Sequence, residues 1–325
     1  MNNGATVAIA TRRPRFHRAS DPPNFRVTED DIAIIRHIAR HRFLRSTHVA
    51  DLVRRSIDRT NDRLCHLFHA GYVDRPRAQL DYYPTKGSAP MVYALADGGA
   101  RLLSEQDAAT LEQVDWARKN REAGRPFIEH QLEIADFEVA AQLAAESLSY
   151  RYANAEDIAS NLPAAAGSIW GDPFALRVTV SHQGLRHDIG LVPDIAFAID
   201  LQTGARRNFL VEIDRGTMPI ARADFSQTSI ERKLRSYLSA YASRLFEQKF
   251  GWNSFRVLFA TSDDNRVRSM IEALRSIQPP GAAGSSLFLF ASRDTLNAAD
   301  PLTANWHAVD GSLRRLQPQQ EAKSL

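Results

Sequence analysis

Two alternating apolar runs joined by a seven-residue link constrain this chain more than any other stretch: VPDIAFAID at 192–200 and NFLVEID at 208–214. Successive side chains of a strand point to opposite faces, so Glu212 and Asp214 share one face and Ile213 takes the other. The link, LQTGARR at 201–207, carries Gly204 among polar residues and suits a short connection between antiparallel neighbours. Such a hairpin brings Asp194 towards Glu212. Three carboxylates gathered at strand ends repel one another unless a proton or a cation intervenes, and hard oxygen donors favour Mg²⁺ or Mn²⁺. A divalent-metal site is the first expectation.

Charge is placed unevenly. Residues 1–125 hold 21 Lys+Arg against 15 Asp+Glu, a net +6, while the remainder holds 20 against 23, a net −3. The front of the chain is therefore the part expected to face phosphate. At 325 residues the chain is long for one core, and two domains are expected. No run of 18 apolar residues offers a membrane span, and Arg12, Arg13 and Arg15 are not followed by the apolar core of a secretory signal, so a cytoplasmic protein is expected. Cys65, the only cysteine, excludes an intrachain disulfide or a thiolate cluster.

Residues 1–26 mix Arg12, Arg13, Arg15, Arg18 and Arg26 with three prolines and read as a flexible basic arm. Thr28 caps an expected helix with Glu29, Asp30 and Asp31 in its first turn and Ile32, Ile35 and Ile38 on one face. A short helix follows Ser46 or Thr47. A third places Ile57, Thr60, Leu64, Leu67 and Phe68 on one side, and Gly71 suits a left-handed C-terminal position. Arg55, Arg59, Asp62 and His66 fall on the other side, with Arg63 flanking. Strands at 72–73 and 91–95 then enclose a loop holding Arg75, Arg77 and Lys86. Three helices and a hairpin over 27–103 spell a winged helix-turn-helix, whose third helix enters the major groove of double-stranded DNA. The expected DNA-binding residues are Arg55, Arg59, Arg63, His66, Arg75, Arg77 and Lys86, mostly on phosphate, with Arg59 and Arg63 foremost.

Residues 104–125 read as a linker. A long helix at 127–148 is apolar on two sides, so His130 and Glu133 fall among packed positions and Glu133 needs a partner, a shared metal or Lys233, unless it lies at a solvated edge. A strand at 176–180 precedes the hairpin. From Ser229 a helix repeats Ile230, Leu234, Tyr237 and Tyr241, and Lys233 shares a face with Tyr237. Strand 255–260, helix 263–275 and strand 287–291 complete one mixed sheet flanked by helices over 126–300, and 301–325 reads as a polar tail. Gly98-Gly99 reads as a turn. The fold class is α+β.

Pro193-Asp194 followed by Glu212-Ile213-Asp214 resembles the PD-(D/E)XK nuclease core. That resemblance implies that Asp194, Glu212 and the Ile213 carbonyl hold Mg²⁺ or Mn²⁺ and activate a water against phosphorus. It also implies that Lys233 replaces the lysine usual at the position of Asp214. Asp214 departs from the pattern, and is expected to hold a second ion, accept a hydrogen bond from the helix, or pair with Arg215 or Arg222. The whole order resembles more closely the replication-relaxation family of plasmids and other mobile elements, over about 28–274: the winged helix, the helix with His130 and Glu133, Pro193-Asp194, Glu212-Ile213-Asp214-Arg215-Gly216 and Lys233-Leu234-x-x-Tyr237. The implied architecture is a winged helix-turn-helix before an α/β PD-(D/E)XK-like domain. Two readings stay open. In one, Asp194, Glu212, Asp214, Lys233 and Glu133 cleave or nick DNA in replication, relaxation or mobilisation, beside plasmid replication or mobilisation proteins. In the other, the chain is a non-catalytic DNA-binding regulator or accessory factor whose second domain serves homodimer or partner contacts.

Overall fold

The computed structural model describes residues 15–22, 24–79, 89–107, 113–163 and 168–317. The chain is α+β and divides into two compact units, residues 1–136 and 137–325.

In the first unit α1 (Glu29–His41), β1 (Leu44–Arg45), α2 (Ser46–Leu52), α3 (Ile57–His69), β2 (Val73–Asp74) and β3 (Val92–Leu95) follow in order. The strands form a small antiparallel sheet in the order β1-β3-β2. Asp31 starts α1 by accepting from the Thr28 N–H and the Thr28 hydroxyl, both at 2.7 Å, which places a carboxylate at the positive end of the helix dipole. α3 stops at Gly71, whose φ is +85°. There the Gly71 N–H donates to the Phe68 carbonyl and the Tyr72 N–H to the Leu67 carbonyl, satisfying acceptors that the last turn leaves open. Ile35, Ile38, Leu64, Leu67, Phe68, Val73 and Leu95 are buried beneath.

Three expectations for this unit are corrected. Residues 15–22 and 24–26 are no loose arm: Arg18 donates to the Phe68 and Val73 carbonyls at 3.0 and 3.1 Å, the Ala19 N–H donates to His69 Nδ1 at 3.0 Å, and Phe25 stacks on His66 at 5.8 Å. A guanidinium beside the carbonyl end of α3 is electrostatically favoured, which explains the docking. Residues 104–125 are no bare linker, because after α4 (Asp97–Asp107) comes α5 (Trp116–Glu122), which buries Trp116 and Asn120. Asn120 donates to the Leu95 carbonyl at 2.8 Å and accepts from Arg42 at 2.7 Å. Gly98 and Gly99 belong to the first turn of α4, where a Cβ on Gly99 would lie 2.2 Å from the Tyr72 carbonyl oxygen. The chain leaves the unit within α6 (Arg125–Ser147), whose Ile128 and Leu132 join Phe43, Val92 and Ala94 in a cluster.

The second unit contains, in order, β4 (Arg151–Ala153), α7 (Ala155–Ala159), β5 (Leu176–His182), β6 (Leu185–Leu191), β7 (Ile195–Asp200), β8 (Arg206–Ile213), α8 (Ile230–Ala242), α9 (Leu245–Phe250), β9 (Phe255–Thr261), α10 (Asp264–Ile277), β10 (Phe288–Ser292), α11 (Arg293–Ala298), β11 (Trp306–Ala308) and β12 (Leu313–Arg314). Seven strands form one mixed sheet in the order β12-β11-β10-β9-β8-β7-β4. Strands β8, β9 and β10 run parallel and the other pairs antiparallel. The expected hairpin pairs Ile195 with Val211 and Asp200 with Arg206.

Near-continuous apolar strands require cover on both faces. On one face Ala196, Ala198, Leu210, Phe259 and Phe288 cluster with Leu234 and Tyr237 of α8 and Met270 and Leu274 of α10. On the other, Phe197 stacks on Phe209 at 4.8 Å and meets Phe137 edge-on at 6.2 Å. Alternation from Leu210 therefore turns Glu212 towards α8. The β5–β6 hairpin adds Leu176, Val178, Val180, Ile189 and Leu191 to the α8 side. Residues 301–317 are no polar tail: Trp306 is fully buried, donates to the Pro301 carbonyl at 2.9 Å, and sits on β11, which with β12 extends the sheet. No helix among the described residues is long and apolar enough to cross a membrane.

Candidate functional site at the ends of the parallel strands

Strand β8 delivers Glu212 beneath α8, where it is 1% exposed. One oxygen accepts from the Tyr237 hydroxyl at 2.7 Å and the other is bonded to the Lys233 ammonium. Lys233 and Tyr237 stand one turn apart on a helix that begins at Ser229, whose hydroxyl accepts from the Arg232 N–H at 3.2 Å. Burial pushes the Glu212 carboxyl above its ordinary range, opposed chiefly by Lys233. Burial also pulls the Lys233 ammonium down, but Glu212 and Asp194 outweigh it and hold the lysine above its usual value. Tyr237 is raised well above the ordinary phenol range by burial and by Glu212, so it stays a neutral donor.

Asp194 is half-buried, and its carboxylate accepts from the Ile213 N–H at 2.7 Å. Asp214, one alternation beyond Glu212, accepts from the Thr261 hydroxyl at 2.6 Å and is gripped by both arms of the Arg266 guanidinium, one of them at 2.9 Å. Its cationic partner is thus Arg266 of α10 rather than Arg222, which donates to Gln227 and to the Thr228 carbonyl. The sequence carried a signal for this pair. Arg266 stands in the first turn of α10, where the helix dipole opposes a cation unless a carboxylate holds it. Glu133 lies half-buried on α6 within the first unit.

As they stand, Glu212 and Asp214 present a divalent cation with oxygens already engaged by neighbouring side chains. Mg²⁺ asks for several oxygens free to converge in a near-octahedral shell. Both oxygens of Glu212 and both of Asp214 are engaged by Lys233, Tyr237, Arg266 and Thr261. Among the described residues no group of three His, Cys, Asp or Glu could hold a metal ion. The charge that an ion would neutralise at Glu212 and Asp214 is already neutralised by Lys233 and Arg266.

The residues expected on DNA separate in the same way. Arg59 is exposed on α3 and enters no ion pair among the described residues. Arg55 is paired with Asp30. Arg63 lies against Asp31, with Nε 2.6 Å from Oδ1, reaches the Arg26 carbonyl at 3.1 Å, and covers the Phe25 ring at 4.4 Å. His66 has its Nδ1 2.8 Å from the Asp62 carbonyl oxygen and is stacked by Phe25. Arg75 is buried, donating to the Arg15 carbonyl at 2.8 Å and the Tyr93 hydroxyl at 3.1 Å. Arg63 and Arg75 are therefore packing residues first. Arg77 is exposed, 2.8 Å from His17 Nε2, and Lys86 lies outside the described residues.

Fold and site together define a two-unit α+β protein in which three helices and a small sheet precede a mixed sheet with an acid–lysine–tyrosine cluster at the ends of its parallel strands. The chain belongs to the replication-relaxation family, whose model matches residues 35–254. The matched span includes α3, Asp194, Glu212, Lys233 and Tyr237. No curated protein and no solved structure matches the chain.

Proposed function

We propose that the protein binds double-stranded DNA as a replication or relaxation factor of a plasmid or other mobile element. In this reading the first unit is a winged helix that lays α3 on the duplex. The second is a PD-(D/E)XK-like sheet whose acids are closed by ion pairs and which serves as a non-catalytic scaffold for partner or self contacts. The observation that carries the DNA reading is the division of labour around α3: Arg63 fastens the helix to α1 through Asp31, while Arg59 is left pointing to solvent. Family membership supports the replication or relaxation context.

Arg59→Glu should weaken duplex binding about tenfold in a gel-shift titration at fixed salt, since it removes one phosphate contact and adds a repulsion. Unchanged affinity would remove α3 from the interface. Arg63→Glu is the wrong probe, because it breaks the Asp31 pair before it touches DNA.

A second reading, metal-dependent nicking, requires Lys233 and Tyr237 to release Glu212 to an ion, and one assay separates the two. Supercoiled plasmid incubated with the protein and Mg²⁺, or Mn²⁺, should stay supercoiled. Nicked or linear product that disappears in Glu212→Ala would establish the nuclease reading instead.

A further inference from the structure

A cavity of ≈ 540 Å³ opens at the amino ends of β8 and β9, beside β11 and β12. Arg207 and Glu212 lie five residues apart on one strand, about 17 Å, so this cavity is separate from the acid cluster. Phe209 and Leu289, on one face of the sheet, give it an apolar floor, and five arginines line it against one carboxylate, Asp310. Arg206 is held by Asp200 at 2.6 and 2.8 Å, and Arg314 lies 3.6 Å from Asp310. Arg207 and Arg256 reach only backbone, the Leu316 carbonyl at 3.1 Å and the Phe255 carbonyl at 3.0 Å, with no carboxylate in ion-pair range among the described residues. Burial holds the Arg256 guanidinium below its ordinary range, and Arg207 and Arg314 push the same way.

Like charges packed over an apolar floor destabilise a fold unless an anion joins them. The sheet register places the two arginines together: Arg256 stands opposite Phe209, and by alternation Arg207, Phe209 and Arg256 share the sheet face away from α8. The volume falls within the range of small-molecule sites, roughly 300–1,000 Å³. Most of the lining lies past residue 254, where the family match ends.

We infer that this cavity binds a phosphate-bearing ligand of nucleotide size, with phosphate on Arg207 and Arg256 and the apolar part of the ligand on the Phe209 and Leu289 floor. The ligand is either a free nucleotide or the phosphorylated end of a DNA strand, which share this chemistry.

The test uses the full chain. Thermal unfolding is followed with inorganic phosphate against chloride at matched ionic strength, for wild type and for Arg207→Ala with Arg256→Met. Phosphate should raise the wild-type Tm beyond chloride, and the double variant should lose that difference. Binding of ATP, and of 5′-phosphorylated against 5′-hydroxyl single-stranded oligonucleotide, should fall at least about tenfold in the variant. Whichever of the two probes the wild type binds identifies the source. Duplex binding should follow Arg59 and not these positions, so failure here leaves the α3 reading standing. Removing the repulsion should leave the unliganded variant at least as stable as wild type; if it unfolds, Arg207→Ala alone, at an exposed position, carries the comparison. No preference for phosphate over chloride, an equal preference in the variant, or phosphate binding with neither ATP nor oligonucleotide would overturn the inference.

Discussion

Lys233→Met is expected to lower the stability of the second unit by about 3 kcal/mol, because it strips the cation from a buried carboxylate. Glu212 is 1% exposed, whereas the Lys233 side chain retains 23% of its exposure, which keeps the expected loss at the low end for a broken buried pair. Tyr237 still donates but supplies no charge. Glu212→Gln combined with Lys233→Met should recover most of the loss, since a neutral amide keeps the tyrosine bond and no charge remains buried. Three of the four tryptophans, Trp170, Trp252 and Trp306, lie in the second unit, so urea unfolding followed by tryptophan fluorescence reads mainly that unit. The variant should also depend on pH more steeply than wild type. Burial already holds the Glu212 carboxyl above its ordinary value, and without the ammonium it rises further. A carboxyl raised on folding contributes its stability below the unfolded value and loses it as pH climbs through the folded one. The variant should therefore weaken from acid towards neutral pH. A single variant as stable as wild type would mean that the pair does not hold the fold, and would return Lys233 to the catalytic reading.

What the sequence disclosed and what it hid follow from the range of the interactions. The β7–β8 hairpin was legible because alternation and a Gly-bearing link are local, and the limits of α1 and α3 because Thr28, Asp31 and Gly71 act within a turn. Lys233 and Tyr237 could be placed on one face by spacing alone. Their shared target could not, since Tyr237 meets an acid 25 positions away. A helical wheel gives Arg63 a direction but does not say that Asp31, 32 positions earlier, already holds it. Strand β6, LRHDIGL, is too polar to announce itself, yet Ile189 and Leu191 suffice to anchor it once β5 provides a partner. The stretch 301–317 was missed because its signal is weak: Leu302, Ala304, Trp306 and Ala308 alternate inward as a strand's residues do, but two of the four are alanines set among polar neighbours. The arginine-lined cavity draws on five separate segments and has no local signature at all.

Asp31→Asn is expected to cost the first unit about 3 kcal/mol at neutral pH, because one buried carboxylate there serves a helix start and an ion pair together. Asp31 is fully buried and takes the Thr28 N–H, the Thr28 hydroxyl and the Arg63 guanidinium, so its loss loosens α1 from α3 at the point where α3 must be held to present Arg59. Burial pushes its carboxyl up, but Arg63 and Thr28 more than reverse this and hold it below the ordinary carboxylate value. The linkage therefore has the opposite sense to that of Glu212: the stability is present above the unfolded value and is lost as pH falls through the folded one. In far-UV circular dichroism with urea, wild type should lose this share on acidification below about pH 4, while Asp31→Asn, already without it, should change less. Some acid dependence should survive in the variant, since Asp136 is also held low: burial opposes, but the His48 hydrogen bond and Arg45 prevail. Equal acid sensitivity in wild type and variant would show that the Asp31 pair contributes nothing. Because α3 is fastened through this carboxylate, Asp31→Asn should also weaken duplex binding without touching an exposed charge, and adding back stability elsewhere in the first unit should restore it, which no substitution of Arg59 would allow.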